Sequence, residues 1–390
     1  MVCGMRTRQL RNQVDRSRRS FLKQSSFIVA AGCVGGICEL PSFDCHANSW
    51  SGSGQTGAHR HTPTFPKGAI IRTLLKDTPP AALAPGAVLF HEHLSLHYPL
   101  TNALAAKQGA PAPTNFSDDV DLMIAETRAA GADGVSCIVD GGHNDMDRSL
   151  AALKRIAAES GVHIVASGGY YMQRNYSPEI ATMSADQIAD GLVREANADR
   201  FGAFGEIGQQ GGELTADERK VFTAVGKAHV RTGLPIFTHN AYAGTRVVNP
   251  PVPRDSALRQ LDLLEAAGVK PQKVVIGHVC CLDEPTAEIA RQIAKRGAFV
   301  GFDRVTIQIL SDARRVQMIM KLLEAGYASN VLLSSDFSSS RALKKNGGAG
   351  LAQTVTVFGK MLLEAGVKQE ILKAILMDNP RRFLAFVPKN

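Results

Sequence analysis

Cysteine is scarce where a disulfide framework would need it. Four of the seven cysteines (Cys3, Cys33, Cys38, Cys45) lie in the first 47 residues. Beyond them stand only Cys137 and the neighbours Cys280 and Cys281, an odd set that makes a poor disulfide framework. Charge of one sign is also missing. Lys and Arg outnumber Asp and Glu by 44 to 36, for a net +8. Residues 1–47 hold seven basic side chains (Arg6, Arg8, Arg11, Arg16, Arg18, Arg19, Lys23) against three acidic ones (Asp15, Glu39, Asp44). Half of the excess therefore belongs to this leader, and the body is too weakly basic to suggest a nucleic-acid surface. The apolar stretch Ser26–Cys38 is too short to span a bilayer. The 36 glycines and 18 prolines show no period, which excludes collagen-like and mucin-like chains. With 44% apolar and 21% charged residues, wholesale disorder is excluded too.

The leader reads as an address. Ser17-Arg18-Arg19-Ser20-Phe21-Leu22-Lys23 precedes the apolar stretch. Pro41 and the small-x-small site Cys45-His46-Ala47 follow, as in a signal peptide. The run resembles the bacterial twin-arginine motif, which implies contact with the twin-arginine export machinery and a periplasmic or secreted protein. Cleavage is expected after Ala47; lipoprotein processing at Cys33 is the alternative. Residues 48–66 are rich in Ser, Gly, Thr and His and read as a flexible linker. One domain is expected over residues 67–390.

Short apolar runs recur at Val88–His93, Val135–Asp140, His163–Gly169, Ala203–Ile207, Pro235–His239, Lys273–His278, Ala298–Phe302 and Val331–Asp336. They are near-continuous, as in strands buried on both faces. Amphipathic stretches lie between them, among them Asp118–Ala130, Asp147–Ser160, Thr215–Thr232, Ser256–Ala267, Glu284–Arg296 and Asp312–Ala325. Gly131, Gly161, Gly233, Gly268 and Gly297 read as stops before the next strand. This alternation predicts an α/β fold, a (β/α)8 TIM barrel. A doubly wound open sheet would want a glycine-rich turn after the first strand, and Phe90-His91-Glu92-His93-Leu94 has no glycine.

Chemistry in a barrel gathers at the C-terminal ends of its strands. There the sequence supplies His91 and His93 on strand one, Glu206 on four, His239 on five, His278 on six and Asp336 on eight. Alternation puts His91 and His93 on one face and turns Glu92 the other way. Six ligands exceed one tetrahedral zinc and suit two divalent ions sharing a carboxylate and a hydroxide. Such a set carries a net charge of about +1, which favours a transition state that gains negative charge. A single His-x-His pair is weak evidence, since about 0.3 such pairs arise by chance in a chain like this one. His59-Arg60-His61 shows the same spacing inside the linker. His97, His143, His163 and His229 fall out of register with the strand ends and read as surface, loop or satisfied core histidines. Company at four other strand ends separates His91 and His93 from these.

As a set these pieces resemble the phosphotriesterase family of the amidohydrolase superfamily. The matching runs are Leu89–Leu94, Phe237–Asn240, Val275–His278, Leu333–Asp336 and Asn379–Leu384, with Gly168–Tyr171 and Lys345–Gly348. The resemblance covers residues from about 70 to 386. It implies that His91, His93 and Asp336 hold a more buried zinc ion and His239 and His278 a more exposed one. It implies further that Glu206 bridges the two and that Asp336 is the catalytic acid/base. The best-known members carry a carboxylated lysine at the Glu206 position; both groups are planar monoanions with two oxygens. Glu206 therefore places the chain nearer the homology-protein branch and leaves the substrate open among esters, lactones and phosphoesters. The resemblance also implies a small-molecule substrate and a homodimer, although no segment marks an interface.

Tyr170, Tyr171, Arg304 and Arg341 are the candidate substrate contacts; core packing is the other reading of one tyrosine, and solvated loop positions that of the two arginines. Cys280 and Cys281 read as small apolar filler. Gly205-Glu206-Ile207-Gly208 also fits a metal-dependent deoxyribonuclease branch, and a secreted metal-binding protein without turnover is the reading outside the enzymes.

Overall fold

The computed structural model describes residues 63–97, 115–240, 243–245, 248–307 and 309–389. The leader and residues 48–62 of the expected linker lie outside the described residues. Eight parallel strands follow one another: β1 (Ala87–Glu92), β2 (Val135–Asp140), β3 (His163–Gly168), β4 (Ala203–Gly208), β5 (Ile236–His239), β6 (Val274–Ile276), β7 (Phe299–Phe302) and β8 (Val331–Leu333). Each pairs with its neighbour in sequence. The two end strands meet as well. Asp336, just past β8, donates its backbone N–H to the His91 carbonyl at 3.2 Å. His91 donates its own to Ser334 Oγ at 3.0 Å. The expected (β/α)8 barrel forms.

Alternation sorts the strand residues into two layers. Val88, Phe90, Cys137, Val139, Val165, Phe237, Val275 and Leu332 share one buried cluster. Leu89, Ile138, Ile164, Ile236, Ile276 and Leu333 join helix residues in another. The first fills the barrel axis and the second lies between sheet and helices, which is why the strands read as continuous apolar runs. The long helices after the first seven strands are α1 (Val120–Ala132), α2 (Leu150–Ser160), α3 (Ala185–Ala198), α4 (Ala216–Thr232), α5 (Ser256–Ala266), α6 (Glu288–Lys295) and α7 (Asp312–Glu324), and shorter helical segments, among them Gly359–Glu364 and Asn379–Leu384, follow the eighth. Ser149, Ser184, Thr215 and Ser311 cap α2, α3, α4 and α7 by accepting the N–H three residues on. Gly161 and Gly233 end α2 and α4 in the left-handed conformation. Gly131 differs from expectation: α1 runs through it to Ala132, and Gly134 takes the turn instead.

Two strands stop two or three residues earlier than the apolar runs suggest. β6 ends at Ile276 and β8 at Leu333, so His278 and Asp336 lie beyond the strands. Their φ angles are 57° and 49°, in the left-handed region. At His278 the cause is a side chain: its backbone N–H goes to the Asp303 carboxylate at 2.6 Å, so the ladder cannot continue. At the other end of the barrel, segments from near the two ends of the described chain meet. Ile70 and Phe386 exchange backbone hydrogen bonds of 2.8 and 2.9 Å. Phe65, within the expected linker, packs with Ile71, Leu83 and Phe383 on the axial cluster. Among the described residues no helix is long and apolar enough to cross a membrane.

Candidate metal centre

Strict alternation would not deliver the ligands. Val88 and Phe90 face the barrel axis, so an unbroken strand would turn His91 away from it. The β1–β2 pairing shifts register between Leu89 and Glu92, and the shift carries His91 to the mouth. A similar shift in β4 between Phe204 and Ile207 turns Glu206 inward. Bulges of this kind re-aim side chains at barrel rims. Gly205 makes the second one feasible: its φ is 152°, and a Cβ there would lie 2.3 Å from the Phe237 ring. Gly141, past β2, is needed for space, since its Cβ would meet His91 at 2.8 Å and His93 at 3.2 Å. The Phe237 ring lies beside His91, with centroids 5.1 Å apart, and Phe90 meets Phe237 edge-on at 6.4 Å.

All six predicted ligands converge. Ligand atoms of His91, His93, Glu206 and Asp336 lie within 4.8 Å of one another, as do those of Glu206, His239 and His278. His93 Nε2 lies 3.1 Å from Asp336 Oδ1 and 3.4 Å from Glu206 Oε1. His239 Nδ1 lies 2.6 Å and His278 Nε2 3.2 Å from Glu206 Oε2. Glu206 is thus common to two groups, one with His91, His93 and Asp336 and one with His239 and His278, while a third group joins His91, His278 and Asp303. His91, His93, Glu206 and His278 are at most 1% exposed, whereas His239, Tyr171, Asp336 and Arg304 are 5–9% exposed. The centre therefore opens along the latter four.

Asp303 was not anticipated. Its carboxylate accepts from His91 Nδ1 at 2.9 Å and from His278 Nδ1 at 3.1 Å, one imidazole per oxygen. This turns both Nε2 atoms toward Glu206, as an outer carboxylate does for metal-bound histidines. The available signal was its position at the end of the seventh strand, beside Arg304. Glu92 points away from its neighbours His91 and His93, toward Ser334, Ser335 and Phe337, and is buried at the β8–β1 seam. His143 is a satisfied core histidine, bonded to Asp145 and to the Glu206 carbonyl.

The electrostatics are those of a cation site. Burial opposes the charge on His93, but hydrogen bonds to Asp336 and Glu206 outweigh it and lift the imidazole to about 9. For His278 burial is likewise overcome, by Asp303 and Glu206, and its pKa is raised to about 10. His91 is raised well above its ordinary value against the same desolvation, mainly by Glu206 and Asp303. His239 goes the other way: burial dominates and lowers it to about 4. Glu206 is held well below the usual carboxylate range, because His239 and His91 outweigh its burial. Asp336 is lowered too, by His93 and Arg304 against its own burial. Carboxylates that draw protons onto neighbouring imidazoles would accept divalent ions in the same place. His91 Nε2 is buried 3.4 Å from Glu206 Oε2 and 3.9 Å from Asp336 Oδ1, a nitrogen aimed among carboxylates as a metal ligand would be. The donor set fits divalent metal.

The four candidate substrate contacts separate. The Tyr171 hydroxyl lies 3.4 Å from His239 Nε2, and Arg304 Nε lies 3.2 Å from Asp336 Oδ2. Both stand at the open side. Tyr170 instead packs on the helix-side core and edge-on to Tyr176, with centroids 6.0 Å apart. Arg341 is exposed on the loop after β8. Cys280 is buried, and its sulfur accepts the Arg304 N–H at 3.3 Å.

The family model of the phosphotriesterase family matches residues 73–384. Phosphotriesterase homology protein of Escherichia coli (strain K12) is 31% identical over 312 residues, covering 76% of this chain and 97% of that one. N-acetyltaurine hydrolase of Danio rerio is 26% identical over 355 residues, covering 81% and 98%. A crystal structure of the Escherichia coli phosphotriesterase homology protein, with phosphate in its active site, matches with a TM-score of 0.66 at 28% identity, covering 77% and 98%. With the barrel, the converging histidines and carboxylates and these matches, the chain belongs to the phosphotriesterase family.

Proposed function

We propose that the protein is a binuclear zinc hydrolase that cleaves an ester, lactone or phosphoester bond of a small molecule. The observation that carries this is the shared carboxylate: Glu206 faces His93 through Oε1 and faces His239 and His278 through Oε2. His91, His93 and Asp336 would hold one ion and His239 and His278 the other, with Glu206 between. Bound there, the ions would supply Lewis acidity, both for a water that attacks near neutral pH and for the substrate oxygen. Asp336 takes the proton of the attacking water, and its depressed pKa keeps it ready as a base. Tyr171 and Arg304, on the open side, orient the substrate. The surrounding burial excludes bulk water and strengthens every charge interaction.

A second reading concerns the bond cleaved. A relative named N-acetyltaurine hydrolase points to an amide carbonyl, and the same acid/base group would serve it. The leader supports export by the twin-arginine route to the periplasm or beyond.

The test is a panel of aryl esters, lactones, organophosphates and N-acetyltaurine, assayed with and without chelator. Activity on at least one class, abolished by chelation and restored by zinc, is expected. Asp336→Asn should lose about 10²–10⁴-fold of it. Turnover insensitive to chelator, or an undiminished Asp336→Asn variant, would contradict the proposal.

A further inference from the structure

Between His91 and His93 stands a third buried polar side chain that faces away from the ligands. Glu92 Oε1 accepts from Ser334 Oγ at 3.1 Å and from the Ser335 N–H at 2.9 Å. Its Oε2 accepts from Ser335 Oγ at 2.7 Å and from the Phe337 N–H at 2.9 Å. Four donors meet the acceptor sites of one carboxylate. All of these residues are buried, with no exposure above 1%.

The segment they hold is 334–337, which follows the end of β8. Every backbone N–H in it is accounted for. Ser334 donates to the Phe302 carbonyl at 3.1 Å and Asp336 to the His91 carbonyl at 3.2 Å. The two between and after, Ser335 and Phe337, both go to Glu92. These flank Asp336, whose φ of 49° is an uncommon conformation for a residue with a side chain. Such a conformation persists where its surroundings over-determine it. Ser334 Oγ also accepts the N–H of His91, so the same cluster ties the first ligand strand to the last.

We propose that Glu92 is a positioning residue: its carboxylate fixes the turn on both sides of Asp336 and so aims that side chain at His91 and His93. This rests on the reading of Asp336 as a metal ligand. Glu92 itself touches neither ion nor substrate. Its removal should therefore weaken the ion held by His91, His93 and Asp336 and leave the one held by His239 and His278.

The decisive measurement is a cobalt(II) titration of the metal-free protein, followed by its visible absorption, for the parent, Glu92→Gln and Ser335→Ala. An amide at position 92 offers one oxygen and an NH₂, so at least one of the Ser335 and Phe337 N–H groups would face a donor. Glu92→Gln is expected to bind one cobalt ion about 10–100-fold more weakly and the other as the parent does, with a changed spectrum for the weakened ion. Ser335→Ala, which removes only the Oγ contact, should shift the same ion by less. Folding is checked by thermal unfolding; if Glu92→Gln does not fold, Ser335→Ala decides by the same titration. Folded variants with both ions at parental affinity and spectrum would overturn the inference. A parent that binds no cobalt would overturn the metal reading on which it rests.

Discussion

His93 and His278 carry protons in the metal-free protein well above neutral pH, at pKa values of about 9 and 10. Both must lose them before the imidazole can ligate a metal. Lowering the pH therefore strengthens the proton's side of that competition. Zinc affinity should rise from pH 6 to pH 8, by up to about tenfold per unit for each proton displaced. Competition titrations against a chromophoric chelator would show it, and an affinity independent of pH would contradict the ligand assignment. The residues that make this environment were legible to different degrees. His91, His93, Glu206, His239, His278 and Asp336 announce themselves by type and by place at strand ends. Asp303 does not, because its work depends on His91, 212 residues away. The same holds for Gly141, which leaves room for the two imidazoles and whose backbone bonds to Glu92 and Glu206. Tyr170 and Tyr171 are chemically alike, and only the turn after β3 decides that Tyr171 reaches His239.

The strands were legible because barrel strands are apolar on both faces and because glycines and capping residues punctuate the helices. Their ends and their phase were not. Apolarity continues past β6 and β8, while hydrogen bonds to Asp303 and Glu92 take over the backbone N–H groups. The phase of β1 and β4 depends on bulges that no period-2 pattern contains. In β4 the bulge needs glycine, which gives a sharp test. Gly205→Ala would place a methyl against the Phe237 ring at a positive φ. It should cost about 1–3 kcal/mol of stability and turn Glu206 from the centre. Urea unfolding with metal analysis checks both; a variant with the parent's midpoint and metal content would show that the bulge is not what aims Glu206.

At the scale of the whole molecule, one end of the barrel is packed shut and the other carries the chemistry. Lys273 ties the closing segment down by donating to the carbonyls of Arg382 and Phe383 at 3.1 and 3.3 Å, and to that of Ala385. The barrel was readable from the count and length of its elements, and the end that carries the chemistry from the residue types at the strand ends. The closure by residues distant in sequence, such as Ile70 with Phe386, was not. The proposed export belongs to this scale as well. Replacing Arg18 and Arg19 together by lysine should leave a tagged chain in the cytoplasm of a host with a twin-arginine system, whereas unchanged export would remove the leader from the account. The account as a whole turns on whether two metal ions sit where the ligands converge. Anomalous diffraction at the zinc edge from zinc-loaded crystals tests that most directly. Two peaks beside Glu206 are predicted, one among His91, His93 and Asp336 and the other between His239 and His278. A single peak, or zinc bound anywhere else, would contradict it.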